Sequence, residues 1–172
     1  MSNIAATLDE ATINRIFAQT VIKGNLTREV KDPIFATKLV TVTLNYEAKE
    51  FRAHVQEGGI RFTAKVHVAS GVFTYEDAVE GSMSAAVEGR NVILAVGAFV
   101  ISLYVKIAGK RVDIANVDVA QKLPPELKRV SLNVLPNDLV VPLPDGGSVT
   151  LKITNPKVVL RLGNMLVSAD LT

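Results

Sequence analysis

Alternation of apolar and polar side chains with a period of two constrains this chain most. Val40, Val42, Leu44 and Tyr46 are separated by Thr41, Thr43 and Asn45. Phe51, Ala53 and Val55 alternate with Arg52 and His54, and Ile60, Phe62, Ala64, Val66 and Val68 alternate with Arg61, Thr63, Lys65 and His67. Successive side chains of a strand point to opposite faces, so this pattern builds an antiparallel sheet with one buried and one wet face. A turn at Glu47 to Glu50 would set Tyr46 opposite Phe51 and Leu44 opposite Ala53. A second turn at Gln56 to Gly59 would set Val55 opposite Ile60 and Ala53 opposite Phe62. Both registers keep apolar residues on one face, as a meander requires.

One amphipathic helix is predicted ahead of these strands. Thr7-Leu8-Asp9-Glu10 reads as a capping box, in which Thr7 and Glu10 satisfy each other's backbone amides. Ile13, Ile16, Phe17, Thr20 and Val21 follow at helical spacing, and Gly24-Asn25 supplies the stop. A short helical turn after Thr27 would end at Asp32-Pro33. Beyond Gly71 the pattern loosens, and Tyr75 to Gly81 reads as a loop or a helical turn. Val92 to Val96 and Phe99 to Val105 are apolar on both phases apart from Ser102, the pattern of strands covered on both faces. Ala108 to Arg111 turns the chain, and Val112 and Ile114 return it. Pro124 to Lys128 is a kinked connection or a short helix. Strands are then expected at Leu139 to Leu143, Val149 to Thr154, Val158 to Leu162 and Met165 to Leu171. Pro142 makes the first an edge strand, and Pro144 to Gly147 is a turn. The expected fold class is α+β, mostly antiparallel β: a curved meander sheet packed around an N-terminal amphipathic helix, in a single domain spanning 1–172.

Hydrophobic residues make up 48% of the chain but aromatics only 5%, so the apolar mass is aliphatic. Nineteen basic and seventeen acidic residues nearly balance, and no Lys/Arg run is interleaved with aromatics, which argues against nucleic acid as a partner. The absence of cysteine removes disulfides, thiolate catalysis and cysteine metal sites. The longest mainly apolar run, Val92 to Ile107, is shorter than a spanning helix needs and is interrupted by Gly97, Ser102 and Lys106, so no transmembrane segment is expected. Met1 to Ala6 has no signal-peptide pattern. The expectation is a cytoplasmic protein, or an exported one from which a leader was trimmed.

Chemistry-bearing motifs are few. His54 and His67, the two histidines, lie on the wet phase of neighbouring strands, and His54 would face Arg61 and Thr43 with no acid to orient it. Glu76 with Asp77, and Asp113 with Asp118, are close in sequence but tied to no motif that fixes a carboxylate separation. Ser82 and Ser84 follow Gly81 without a nucleophile elbow, and no phosphate-cradling glycine loop occurs. Asn25-Leu26-Thr27 has the form of a glycosylation sequon. No enzyme activity, cofactor or metal is expected.

The remaining candidate is apolar. The helix stripe Ile13, Phe17 and Val21 faces the strand positions Val42, Leu44, Phe62 and Val66, with Phe99, Ile101, Leu103 and Val105 from the apolar strand beyond. Helix and sheet would either close into a dry core or leave a groove that suits an acyl chain or a sterol.

The order of elements resembles a known family. A helix of the type Leu8-Asp-Glu-Ala-Thr-Ile-Asn-Arg-Ile-Phe17, long meandering strands, an apolar strand, the turn Ala108-Gly-Lys-Arg111, the segment Leu123-Pro-Pro-Glu-Leu127 and a final strand group follow one another. This resembles the single-domain bacterial branch of the tubular lipid-binding (TULIP) superfamily. The resemblance spans nearly the whole chain in architecture, without a diagnostic motif. It implies a curved sheet wrapping a long helix, with lipid in the seam. One departure is that many such members carry a leader or a lipidated cysteine, and this sequence shows neither. Val149-Thr-Leu-Lys-Ile-Thr-Asn-Pro156 is similar to a segment of late-embryogenesis β-sandwiches, but there the Asn-Pro comes early, and the leading helix argues against that fold. The expected function is non-enzymatic binding or transfer of a lipid or another apolar ligand. The alternative is a structural or assembly protein whose apolar face or sheet edge makes a homo-oligomer or holds a protein partner.

Overall fold

The computed structural model describes residues 2–172. In chain order its elements are β1 (Ser2–Asp9), α1 (Glu10–Phe17), β2 (Ile22–Lys31), β3 (Leu39–Gln56), β4 (Gly59–Ala69), β5 (Thr74–Glu88), β6 (Asn91–Val96), β7 (Val100–Ile107) and β8 (Lys110–Asp118). A single tight helical turn, Val119–Lys122, leads to α2 (Pro125–Lys128), β9 (Arg129–Asn133), β10 (Leu139–Pro142), β11 (Ser148–Leu151), β12 (Ile153–Arg161) and β13 (Asn164–Leu171). Antiparallel strands dominate. β2-β3-β4-β5-β6-β9 form one strongly curled half-barrel sheet. The chain ends pair in a second sheet, β1-β13-β12, while β7-β8 and β10-β11 are two-stranded ribbons.

The core lies in the hollow of the half-barrel. Leu44, Tyr46, Ala48, Phe51, Ala53, Val55, Phe62, Val66 and Val68 line it, and Met165, Val167 and Ala169 of β13 close over it. Phe62 packs with ring centroids 5.0 Å from Phe17, 5.7 Å from Phe51 and 5.7 Å from Phe99, so four of the six phenylalanines of the chain meet in the interior.

β3 corrects the expected first turn. Glu47 to Glu50 does not reverse the chain; β3 runs on through it, pairing with β2 (Leu26↔Leu44, Ile22↔Ala48) and then with β4 (Tyr46↔Val68, Val55↔Ile60). The inward residues are even-numbered up to Ala48 and odd-numbered from Phe51. A turn explains that change of phase, but so does one extra residue. The ladder with β4 slips by one between Lys49 and Arg52, and Glu50 adopts φ 55°. This is a β-bulge, which adds local twist and helps curl the sheet. The second expected hairpin forms with the expected pairs, Val55↔Ile60 and Ala53↔Phe62.

The leading helix is shorter than expected. Thr7 lies in β1, opposite Leu166, and the N-cap is Asp9, whose carboxylate accepts from the Thr12 amide at 2.7 Å. The helix ends at Phe17, with Ala18 as its C-cap. Gly24 does not end a helix; it sits in β2 opposite Tyr46, whose ring lies across it so closely that a Cβ would fall 2.2 Å from the hydroxyl. β2 also replaces the helical turn expected after Thr27, and Thr27 and Thr43 hydroxyls pair across the ladder at 3.0 Å.

Residues Tyr75 to Gly81 belong to the long strand β5 rather than to a loop. β6 is covered on both faces as expected, with Val92, Ile93 and Leu94 all buried, but β7 is not: Val100 and Ser102 face outward. The β7-β8 hairpin turns on Ala108 (φ 48°) and Gly109 (φ 78°), the paired left-handed residues of a tight hairpin. α2 starts at the two prolines, and β10-β11 turn at the expected Pro144 to Gly147.

Candidate functional site

α1 covers an edge. From Lys49 onward, β3 has lost β2 as its neighbour on one side, which leaves backbone groups there unpaired by sheet. The Asn14 side chain answers both groups of Ala53, accepting from its amide at 2.7 Å and donating to its carbonyl at 3.1 Å. Glu10 Oε2 accepts from the Val55 amide at 2.9 Å, and the Gly163 amide donates to the Val55 carbonyl at 2.9 Å. Ile13 and Phe17 point from the same helix into the core and are fully buried. The seam between helix and sheet is filled by these side chains.

The expected lining residues fall into one row and one outlier. Ile13, Phe17, Leu44, Phe62, Val66, Phe99, Ile101, Leu103 and Val105 are buried in one continuous cluster, with Val42 half-buried at its margin. Val21 is outside it, 52% exposed in the connection after α1. Alternate residues of β7 carry the row along the interior, from Val105 through Leu103 and Ile101 to Phe99, which meets Phe62 and Phe51.

At the Val105 end the row opens into a groove of about 460 Å³. Val40 to Thr43 of β3 form one wall, Ser70 to Phe73 of the β4-β5 connection a second, and Val105 to Ala108 the third. β3 overhangs here: β4 pairs with it only as far as Asn45, so residues 39–44 have β2 on one edge and the groove on the other. Lys106 is the single ionisable residue of the lining. Four other surface concavities each present two or more charged groups, such as Arg15, Glu50 and Arg52 beside α1, or Arg111 and Asp113 on β8. Beside the groove, Phe73, Tyr75 and Tyr104 stack in sequence with centroids 6.0 Å and 4.1 Å apart, and the Arg111 guanidinium lies 4.0 Å over the Tyr104 ring. Burial raises the Tyr75 phenol above its ordinary pKa, and its hydroxyl oxygen accepts from the Tyr104 amide at 3.1 Å.

The polar candidates are arranged differently from expectation. His54 does face Arg61, but an acid is present: Glu10 Oε1 lies 3.6 Å from Nδ1, and the Thr63 hydroxyl lies 3.4 Å from Nε2. Nothing local in the sequence points to this acid, which lies forty-four positions earlier in the chain, on the helix that covers the β3 edge. Hydroxyl, imidazole and carboxylate follow in order, yet both spans exceed the ~2.6–3.2 Å of an activated nucleophile. His67 pairs with Glu76 at 3.6 Å on the outer face. Asp118 is structural: its carboxylate accepts from the Phe99 and Ala120 amides, each at 3.1 Å. Asp113 pairs with Arg111 at 2.7 Å. Among the described residues no group of three or more His, Cys, Asp or Glu is placed to hold a metal ion. Among the described residues no helix is long and apolar enough to cross a membrane.

Compared with known proteins, the chain matches no family model and no curated sequence. A curled antiparallel sheet is shared by several architectures, so the fold by itself does not select one family.

Proposed function

We propose that this protein binds a lipid or another apolar ligand without transforming it, in the manner of the tubular lipid-binding proteins. The observation that carries the reading is the end groove, whose mainly apolar walls include three hydroxyl side chains and one charge and adjoin the buried row Val105, Leu103, Ile101, Phe99. Six residues of strand span about 20 Å at ~3.3 Å each, a length suited to an acyl chain. Binding would rest on apolar area removed from water, about 25 cal/mol per Å², with few hydrogen bonds to fix orientation. The headgroup would stay at the mouth beside Lys106, and the chain would lie along the row toward Phe17 and Phe62 as those side chains repack.

Mass spectrometry of the purified protein, native and then after organic extraction, tests this. A lipid released in near-stoichiometric amount, and lost from a folded Val105→Asp variant, is the expected result. A clean mass that stays unchanged after incubation with mixed phospholipids and fatty acids would sink the reading.

A second reading is supported by the β10-β11 ribbon. Leu139, Val141, Val149 and Leu151 share one face, Asp145 at the tip is the only charge between Asp138 and Lys152, and the ribbon pairs with no other sheet. Exposed apolar strands without charged guards pair readily with other chains. On this reading the ribbon is an assembly arm.

A further inference from the structure

The end of the molecule that carries the groove also carries three strongly exposed apolar side chains. Val72, at the tip of the β4-β5 connection, is 89% exposed, and Phe35 and Ile34, at the tip of the β2-β3 loop, are 64% and 54% exposed. Both loops lead out of this end, because Val40 and Val72 line the same groove and Leu39 pairs with Lys31 at the base of the β2-β3 loop. The β2-β3 loop is closed on itself. The Asp32 carboxylate accepts from the Ile34 and Phe35 amides at 2.8 and 3.2 Å, and Asp32 and Lys38 close the loop base with a 2.8 Å backbone bond. The Asp32 carboxylate is thereby satisfied within the loop while the two large apolar side chains of the loop stand in water.

Charge is gathered at the same end. Residues 28–42, 69–74 and 105–113 together hold six basic and three acidic residues, with Glu76 and Asp77 following on β5. Two of the three acids are engaged, Asp32 by its loop amides and Asp113 by Arg111. Lys31, Lys38, Lys106 and Lys110 form no ion pair among the described residues. Exposed apolar tips, with unpaired lysines at the base of the β2-β3 loop and on the groove wall, match the two layers of an anionic bilayer surface: acyl boundary for the tips, phosphate for the ammonium groups.

We propose that this end docks on an anionic lipid surface, inserting Phe35, Ile34 and Val72 at the interface while Lys31, Lys38 and Lys106 meet headgroup phosphates. The docking goes beyond the ligand reading and holds whether or not the groove retains a lipid. If it does retain one, docking sets the groove mouth against the membrane.

Sedimentation with vesicles of phosphatidylcholine alone, or with phosphatidylglycerol added, tests the proposal on the full chain. The protein is expected to sediment with the anionic vesicles and to be released as salt rises. Ile34→Ser/Phe35→Ser, which touches no groove-lining residue, should lose binding. Lys31→Glu/Lys38→Glu should weaken it by about ten-fold or more, since each lysine near such a surface counts for roughly a factor of five. Val140→Ser, on the β10-β11 ribbon, should bind like the parent, and circular dichroism checks that each variant keeps its strands. No binding to either vesicle, or binding indifferent to the loop substitutions, overturns the proposal. So does a loss of self-association, in place of vesicle binding, on changing Phe35, which would make the tip a protein contact. Lipid found by extraction mass spectrometry in a folded Ile34→Ser/Phe35→Ser variant that no longer sediments would show cargo binding and docking to be separate properties.

Discussion

Asn14 shows how much one side chain on α1 does that its own helix does not require. It pairs with both backbone groups of Ala53 and stands where a neighbouring strand would otherwise be. Asn14→Ala leaves a partly buried amide and carbonyl without partners, at about 1–3 kcal/mol. Urea denaturation should show that loss, and Asn14→Asp, which keeps an acceptor for the Ala53 amide, should lose less. In the sequence Asn14 is a polar residue between apolar helix positions, and nothing local points to a partner thirty-nine residues away. Gly81 was equally silent. In the structure a Cβ there would lie 2.4 Å from the Phe99 ring and 2.8 Å from the Ala98 carbonyl oxygen. The ring could turn aside, but the backbone oxygen cannot without moving the start of β7. Gly81→Ala is expected to cost roughly 1–3 kcal/mol as an overpacked site, measured as a shifted urea midpoint. By contrast Phe62, Leu44 and Val66 were read as inward from alternation alone, because strand periodicity reports burial directly.

The long strand β3 separates what periodicity can reveal from what it cannot. The change of inward phase between Ala48 and Phe51 is plain in the sequence, but a turn and a bulge produce the same change. The bulge is the device present, so deleting Glu50 should leave every inward residue of β3 inward and make the ladder with β4 regular. Such a deletion is expected to fold with reduced stability, since part of the sheet's twist is lost, and to unfold cooperatively. Deleting Thr63 from the regular β4 would instead turn one half of that strand inside out. Circular dichroism and urea unfolding of the two deletions distinguish these outcomes. β2 is hidden in the sequence for a related reason: Ile22, Leu26 and Val30 keep the phase, but Gly24 and Arg28 interrupt it. The start of α1 and the β2-β3 loop share a sensitivity to acid. Hydrogen bonding with Thr12 holds the Asp9 carboxyl below its ordinary pKa, and the Ile34 and Phe35 amides do the same for Asp32. A depressed folded pKa stabilises above the unfolded pKa and is lost as pH falls through the folded one. Thermal midpoints should therefore fall as pH drops below the ordinary carboxylate range. Asp9→Asn/Asp32→Asn, which keeps uncharged acceptors, should show a shallower fall.

At the scale of the molecule, the sheet pairings that close the fold join positions no local pattern connects. Ser2 pairs with Leu171 and Asp9 with Asn164, so the two ends of the chain build one sheet over the hollow of the other. The open groove likewise depends on β3 outrunning β4, a difference of strand lengths that becomes visible only in register. The β10-β11 ribbon, by contrast, was legible from Pro142 and the turn at Pro144 to Gly147, because its hairpin is local. Its isolation was not legible, and that isolation carries the assembly reading. Val141 and Val149 are directly opposed on the apolar face and each is exposed, so replacing both with lysine removes no buried contact. Two like charges facing each other weaken the ribbon itself slightly, while the folded core, reached through β12 and β13, stays as it is. If the ribbon is an assembly arm, the parent should show concentration-dependent association by light scattering, and Val141→Lys/Val149→Lys should be a monomer with an unchanged main thermal transition. A parent that stays monomeric at high concentration would remove self-association as the role of the ribbon and leave the groove end as the surface on which a partner docks.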